Sequence, residues 1–221
     1  MTSMGRRSRG ALSVAAAVMA AGMLVAGPAQ ARVEGGDSVV DGKKRKIAAL
    51  VSDTRVESVV PIDSNPTSRQ WRYSGKSTLR ITGGDEDEDG AKVEDWGGTV
   101  TFGFLIGYPA TLTGSIGVSY STPNITWWVP LEPSQQEIRG PYINWNMLPT
   151  VTGNLAVGFG PGVRAVDATT GQAKGAGGVL RVKNFHGAVT GVLGQVTIQP
   201  YIRVWSNEGD TIMVYGRKHL L

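Results

Sequence analysis

Two clusters of side chains in this 221-residue chain are dense enough to suggest chemistry. Asp85, Glu86, Asp87, Glu88 and Asp89 run consecutively into Gly90, with Glu94 and Asp95 close behind. Oxygen donors at that density suit a hard cation, but an EF-hand-type loop needs ligands at alternate positions, a central glycine and a glutamate at the twelfth place. The run lacks that spacing and reads as an exposed acidic loop. The second cluster, Lys43, Lys44, Arg45 and Lys46, reads as a solvated basic face, with a phosphate or lipid headgroup as the sharper alternative. Only two histidines are present, His186 and His219, and there is no cysteine. His186 reads as a structural residue near a strand end and His219 as part of a frayed terminus. No Gly-x-Ser-x-Gly, Walker loop, HExxH or His/Cys metal cluster occurs. The expectation is therefore no enzyme, no cofactor and no metal. Paired carboxylates carry no fixed spacing, so a carboxylate hydrolase stays open as a remote third class.

The elements that would position any function are strands. Over Ala110–Ser121, Ala110, Leu112, Ile116, Val118 and Tyr120 alternate with Thr111, Thr113, Ser115, Gly117, Ser119 and Ser121. Over Thr150–Phe159, Val151, Leu155, Val157 and Phe159 alternate with Thr150, Thr152, Asn154, Ala156 and Gly158. Period two places successive side chains on opposite faces of a strand. Neither arm carries a charge between Ala110 and Thr122 or between Thr150 and Phe159. One reading is a transmembrane barrel hairpin, apolar outward and small-polar inward. The other is a hairpin buried in a β-sandwich. On the barrel reading Leu112, Ile116, Val118, Leu155, Val157 and Phe159 face lipid. Thr113, Ser115, Ser119, Thr152 and Asn154 then line the lumen, because a one-residue slip would put every apolar side chain in water.

Strand patterning continues outside these arms. Arg32–Asp41 reads as a loose polar arm and Ile47–Val60 as strand or short helix. Trp71–Thr82 is rich in β-formers, and Val100, Phe102, Phe104 and Ile106 share one strand face. Val179–Val182, Ala188–Ile198, Tyr201–Trp205 and Thr211–Tyr215 read as short strands. Pro123, Pro130, Pro133 and Pro141 exclude a central ladder through the far end of the hairpin.

The N-terminus reads as an export signal. Arg6, Arg7 and Arg9 precede an apolar stretch at Ala11–Gly27 and a small-x-small site at Ala29-Gln30-Ala31, which predicts cleavage after Ala31. Cleavage removes three arginines and no acids, so 22 basic residues against 18 acidic become 19 against 18, a net charge of +1 instead of +4. The pI of 9.4 then owes most of its height to the signal and gives no argument for nucleic acid. The remaining stretch, about 190 residues, suits one domain or one domain with an extended hairpin. A secreted chain without cysteine holds together by burial, ladders or oligomerisation.

Motifs in order along the mature chain resemble the MspA-type mycobacterial porin family. They are Val40-Asp41-Gly42, Pro61-Ile62-Asp63-x-Asn65, Arg69-x-Trp71, Ser74-Gly75 and Gly103-x-x-Ile106-Gly107-Tyr108-Pro109. Ser119-Tyr120-Ser121-Thr122-Pro123-Asn124-Ile125, Gly160-Pro161-Gly162, His186-Gly187-x-Val189-Thr190-Gly191, Gly209-Asp210 and Tyr215-Gly216 follow. The resemblance implies an all-β chain with a sandwich-like vestibule domain from residues 32–109 and 160–221. A barrel hairpin spans 110–159, with its constriction tip at 123–149. It implies a homo-octamer in which each hairpin gives two strands to a sixteen-stranded transmembrane barrel. The expected partners are outer-membrane lipid and small hydrophilic solutes and ions that diffuse passively, with no nucleic acid. The expected location is the mycolic-acid outer membrane after Sec-type export. A lone hairpin cannot close a barrel, which agrees with oligomerisation.

Two departures stand out. The family's acidic constriction falls here on Trp128, Val129 and Leu131, with Glu132, Glu137 and Arg139 as the nearby charges. Trp128, Val129, Leu131 and Glu132 are therefore the constriction candidates. The loop at 83–96 is longer and more acidic than the family's, which makes Asp85, Glu86, Asp87, Glu88, Asp89, Glu94 and Asp95 the candidate vestibule rim. The competing functional class is a secreted soluble β-sandwich that binds or adheres.

Overall fold

A computed structural model describes residues 32–84, 93–121, 124–128, 142–146 and 150–221. Within these, the side chains of Glu94 and of residues 124–128, 142–146 and 150–151 are not described. The expected export signal at 1–31, the acids Asp85–Asp89 and the tip residues Val129, Leu131 and Glu132 lie outside the described residues.

Among the described residues every paired strand is antiparallel, and the strands form two principal sheets. The first runs β1 (Val33–Val40), β2 (Arg45–Val59), β3 (Arg69–Gly83), β11 (Gly177–Thr190), β6 (Ser115–Ser121), β9 (Thr150–Ala156), with β7 (Asn124–Trp128) also on β11. The second runs β14 (Thr211–Tyr215), β13 (Thr197–Ser206), β4 (Gly97–Tyr108), β10 (Gly162–Lys174), β8 (Tyr142–Asn146), with β15 (His219–Leu220) on β13. A small ladder joins β5 (Ala110–Thr111) to β12 (Val192–Leu193).

The core lies between the two sheets, as alternation requires of strands with one buried face. Ile47, Ala49 and Val51 of β2 and Trp71 and Tyr73 of β3 are buried on one side. Val100, Phe102, Phe104 and Ile106 of β4 are buried on the other, on the common face that their spacing predicts. Rings interlock across the gap. Tyr73 meets Phe104 edge-on at 5.0 Å, Phe104 meets Phe185 at 4.9 Å, and Phe185 stacks on Tyr120 at 5.5 Å. Two glycines make room for these rings. A Cβ on Gly75 would lie 2.2 Å from the Tyr73 hydroxyl, and one on Gly187 would lie 2.3 Å from the Trp71 indole.

The first sheet bends along one line. Register shifts between Ser52 and Arg55 of β2 and between Val182 and Phe185 of β11. Both shifts flank Ser74 and Gly75 of β3. Asp53 and Asn184 take φ values of 56° and 52° there, the bulge conformation that Asp and Asn tolerate best. The Ser74 hydroxyl accepts the Asn184 amide at 3.1 Å and pins the bend.

Several expectations change. The arm at 32–41 is strand β1, paired to β2 from Val33↔Ser52 to Val40↔Lys46. Its polar, glycine-rich composition hides a packing role, since a Cβ on Gly35 would collide with the Tyr215 carbonyl of β14. Ile47–Val60 resolves as strand β2. The expected strand at Ala188–Ile198 is instead the end of β11, the short β12 and the start of β13. His219 is not frayed: β15 pairs it with Ile198. His186 lies within β11, with Nε2 at 3.3 Å from the Gln70 side-chain oxygen.

Candidate functional site

The uncharged arms meet as a hairpin. β6 and β9 pair over seven positions, from Ser115↔Ala156 to Ser121↔Thr150. Directly opposite residues share a face. Ser119 and Thr152 therefore lie together, as do Gly117 and Asn154, while Ile116 and Leu155 lie on the other face. Of the lumen candidates, Thr152 and Asn154 are exposed and Ser115 and Ser119 are half-buried. Thr113 is exposed in the bend before β6, its hydroxyl 3.0 Å from that of Ser115. The structure thus brings these five small-polar residues onto one surface.

The apolar face divides. Leu112, Leu155 and Phe159 are exposed, and Val157 packs against the rim of the core. Ile116 and Val118, expected toward lipid, are 1% and 7% exposed and sit in the core with Tyr120. The cause is the second edge of β6, which pairs with β11 from Gly117↔Thr190 to Ser121↔His186. That ladder lays the apolar side of β6 over the second sheet.

The remaining candidates are dispersed. Asp95 is exposed at the end of a single 3-10 turn, Val93–Asp95, and Glu94 lies in the same turn. The turn is anchored by Trp96, fully buried, whose amide donates to the Val93 carbonyl at 3.1 Å. Trp128 ends β7, with its backbone opposite Val179.

The basic run holds a buried ionic group that its lysine-rich composition conceals. Arg45, 1% exposed, donates from Nε to Asp41 at 2.7 Å and from Nη2 to Glu208 at 2.7 Å. Asp41 also accepts the amides of Lys43 at 3.0 Å and Arg45 at 2.8 Å, and Lys43 Nζ reaches Glu208 at 2.6 Å. The signal was strand parity: Arg45, Ile47, Ala49 and Val51 occupy one face of β2, and all four are buried. Burial pushes the Asp41 carboxyl up, but hydrogen bonds from Arg45 and Lys43 outweigh it and leave the pKa below its ordinary 3.8. The Lys43 hydrogen bond, aided by Arg45, lowers that of Glu208. Asp210 lies near enough to Asp41 and Glu208 for the three to share an ion. Arg45 and Lys43 already neutralise two of them.

A second polar group crosses the other sheet. The Tyr201 hydroxyl donates to Asp167, which also meets Arg203 Nη2 at 3.2 Å. Burial and that hydrogen bond raise the Tyr201 pKa. No helix among the described residues is long and apolar enough to cross a membrane.

The geometry defines a class: an all-antiparallel two-sheet domain that ends in a hairpin without charge on either face. Residues 41–218 match the MspA family model, and the chain belongs to the MspA family. It is 34% identical to porin MspD of Mycolicibacterium smegmatis (strain ATCC 700084 / mc(2)155) over 184 residues, 81% of this chain and 83% of that protein. It is 32% identical to porin MspC of the same strain over 211 residues, 93% of this chain and 92% of that protein.

Proposed function

We propose that this chain is an outer-membrane porin, a water-filled channel for passive diffusion of small hydrophilic solutes and ions. The observation that carries the reading is the uncharged β6–β9 hairpin in a chain whose relatives are named porins. Charge-free strands with a small-polar face and an apolar face suit a wall between water and hydrocarbon. Each copy contributes the hairpin at 110–159, and a closed ring of hairpins leaves no edge in lipid. A homo-octamer with a sixteen-stranded barrel is the assembly expected of the family. Thr113, Ser115, Ser119, Thr152 and Asn154 line the lumen. Trp128, with Val129, Leu131 and Glu132, narrows it. The acids at 85–89, 94 and 95 ring the mouth of a vestibule built from 32–109 and 160–221. The chain is exported through the Sec route to the mycolic-acid envelope and has no enzymatic role. Planar-bilayer recording on the purified, detergent-extracted protein tests the reading. Discrete conductance steps from a large oligomer are expected, whereas a soluble monomer that gives no steps in any lipid refutes it.

A further inference from the structure

A β-strand has two hydrogen-bonding edges, and β6 uses both within its own chain. One edge pairs with β9 over Ser115–Ser121 and the other with β11 over Gly117–Ser121. A barrel closed from separate hairpins needs that second edge for the β9 of a neighbouring copy. The outer edge of β9 is the end of the sheet and is unpaired among the described residues. Its sequence, Thr-Val-Thr-Gly-Asn-Leu-Ala, has no lysine, proline or charge of the kind that guards a free edge. The far parts of the two arms are also held apart. β7 pairs with β11 over Val179–Lys183, and β8 pairs with β10 over Thr170–Lys174, on different sheets. Among the described residues β7 and β8 do not pair with each other, as a continuous hairpin would require.

From these edges we propose that the structure is a stowed form of the channel, in which β11 holds the place that the neighbouring copy's β9 takes in the barrel. The proposal rests on the porin reading above. Pore formation is then a strand exchange: β6 leaves β11, keeps β9, and accepts the β9 of a second copy. The backbone ladder is replaced in kind, so the exchange costs few net hydrogen bonds. The side chains set the condition. Ile116, Val118 and Tyr120 leave the core on release, and that face is tolerated in hydrocarbon but not in water. Release is therefore coupled to lipid or detergent, and the exported monomer stays soluble until it meets a membrane. The stowed form also accounts for two residues expected toward lipid and found in the core.

Engineered disulfides test the exchange, because opposite residues in a ladder have the Cα spacing a disulfide needs. Ser121, His186, Arg72 and Glu57 lie in one row across β6, β11, β3 and β2. Ser121→Cys with His186→Cys ties β6 to β11. Glu57→Cys with Arg72→Cys ties β2 to β3, a contact the exchange leaves intact. Each oxidised monomer is added to planar bilayers, before and after reduction. Loss of channel events in the oxidised β6–β11 variant, their return on reduction, and full activity of the β2–β3 variant in both states are expected. Equal conductance from the oxidised and reduced β6–β11 variant, with the disulfide verified, overturns the exchange and leaves the porin reading standing. An unmodified chain that never conducts overturns both. Amide hydrogen exchange on the unmodified protein gives a second reading that needs no variant. The β11 amides that point at β6 between His186 and Thr190 should be protected in the soluble monomer and lose protection in the membrane-assembled oligomer. Unchanged protection in the oligomer overturns the exchange.

Discussion

Replacing Asp41 with alanine removes a carboxylate that Arg45 needs in order to be buried. Arg45 is almost fully covered, and its guanidinium donates to Asp41 and Glu208. Without Asp41, one charged donor group loses its partner, and the Lys43 and Arg45 amides lose theirs. Breaking a buried pair from one side costs about 3–5 kcal/mol, most of it from the stranded charge. Glu208 still neutralises part of the guanidinium, which places the expected loss near the lower end, about 3 kcal/mol. For a chain of this size that is a fall of about 6–12 °C in melting temperature. Lys43→Ala breaks a partly exposed pair with Glu208 and should cost no more than about 1 kcal/mol.

Thermal or denaturant unfolding of the purified protein measures both. Asp41→Leu combined with Arg45→Met should recover most of the loss, because an apolar pair strands no charge. The pH dependence carries the same sign. The folded Asp41 and Glu208 carboxyls titrate below their ordinary 3.8 and 4.5. Their contribution is therefore complete above those values and is lost as pH falls through the lower folded values. Asp41→Ala should lose less stability on acidification than the unmodified chain. A loss under about 1 kcal/mol for Asp41→Ala, or a double variant no better than the single, would show that Arg45 does not depend on this carboxylate.

Other outcomes concern the channel. Neutralising the acids at 85–89, 94 and 95 should lower cation selectivity at low salt and change little at high salt, because the Debye length is only about 8 Å at physiological ionic strength; equal selectivity at low salt removes the rim role. Trp128→Ala should raise single-channel conductance; unchanged conductance for Trp128→Ala in an assembled pore means that this residue is not the constriction. Single cysteines at Ser115, Ser119, Thr152 or Asn154 should react with a water-soluble thiol reagent in the assembled pore, and unreactive cysteines at all four would place them outside the lumen.

Much of the sandwich was legible because its strands alternate against a single core. Val100, Phe102, Phe104 and Ile106 share a face in the sequence and in the structure. The misses have physical causes. β1 carries two glycines and little apolar alternation, and it is held by backbone pairing and by close approach to β14. Arg45 sits in a run of lysines whose composition suggests a solvated face, although its parity with Ile47, Ala49 and Val51 marks it as inward. Charge type outweighed position, and the carboxylates that neutralise it come from a turn beside it and from a turn 163 residues away.

The hairpin shows a different limit. Alternation over Ser115–Ser121 reports that one face is apolar and the other small-polar, but not what either face meets. Ile116, Val118 and Tyr120 satisfy the same pattern whether they meet Phe185 and the second sheet or the acyl chains of a membrane. The absence of charge excludes bulk water as the long-term neighbour of the apolar face and leaves those two environments open. In the proposed exchange, what distinguishes them is the partner on the second edge of β6, which is β11 of the same chain in this structure and β9 of another copy in the barrel. A backbone edge has nearly the same donors and acceptors whichever strand meets it. The choice therefore depends on whether lipid and a second copy are present, and a single sequence does not encode those conditions in its side-chain order.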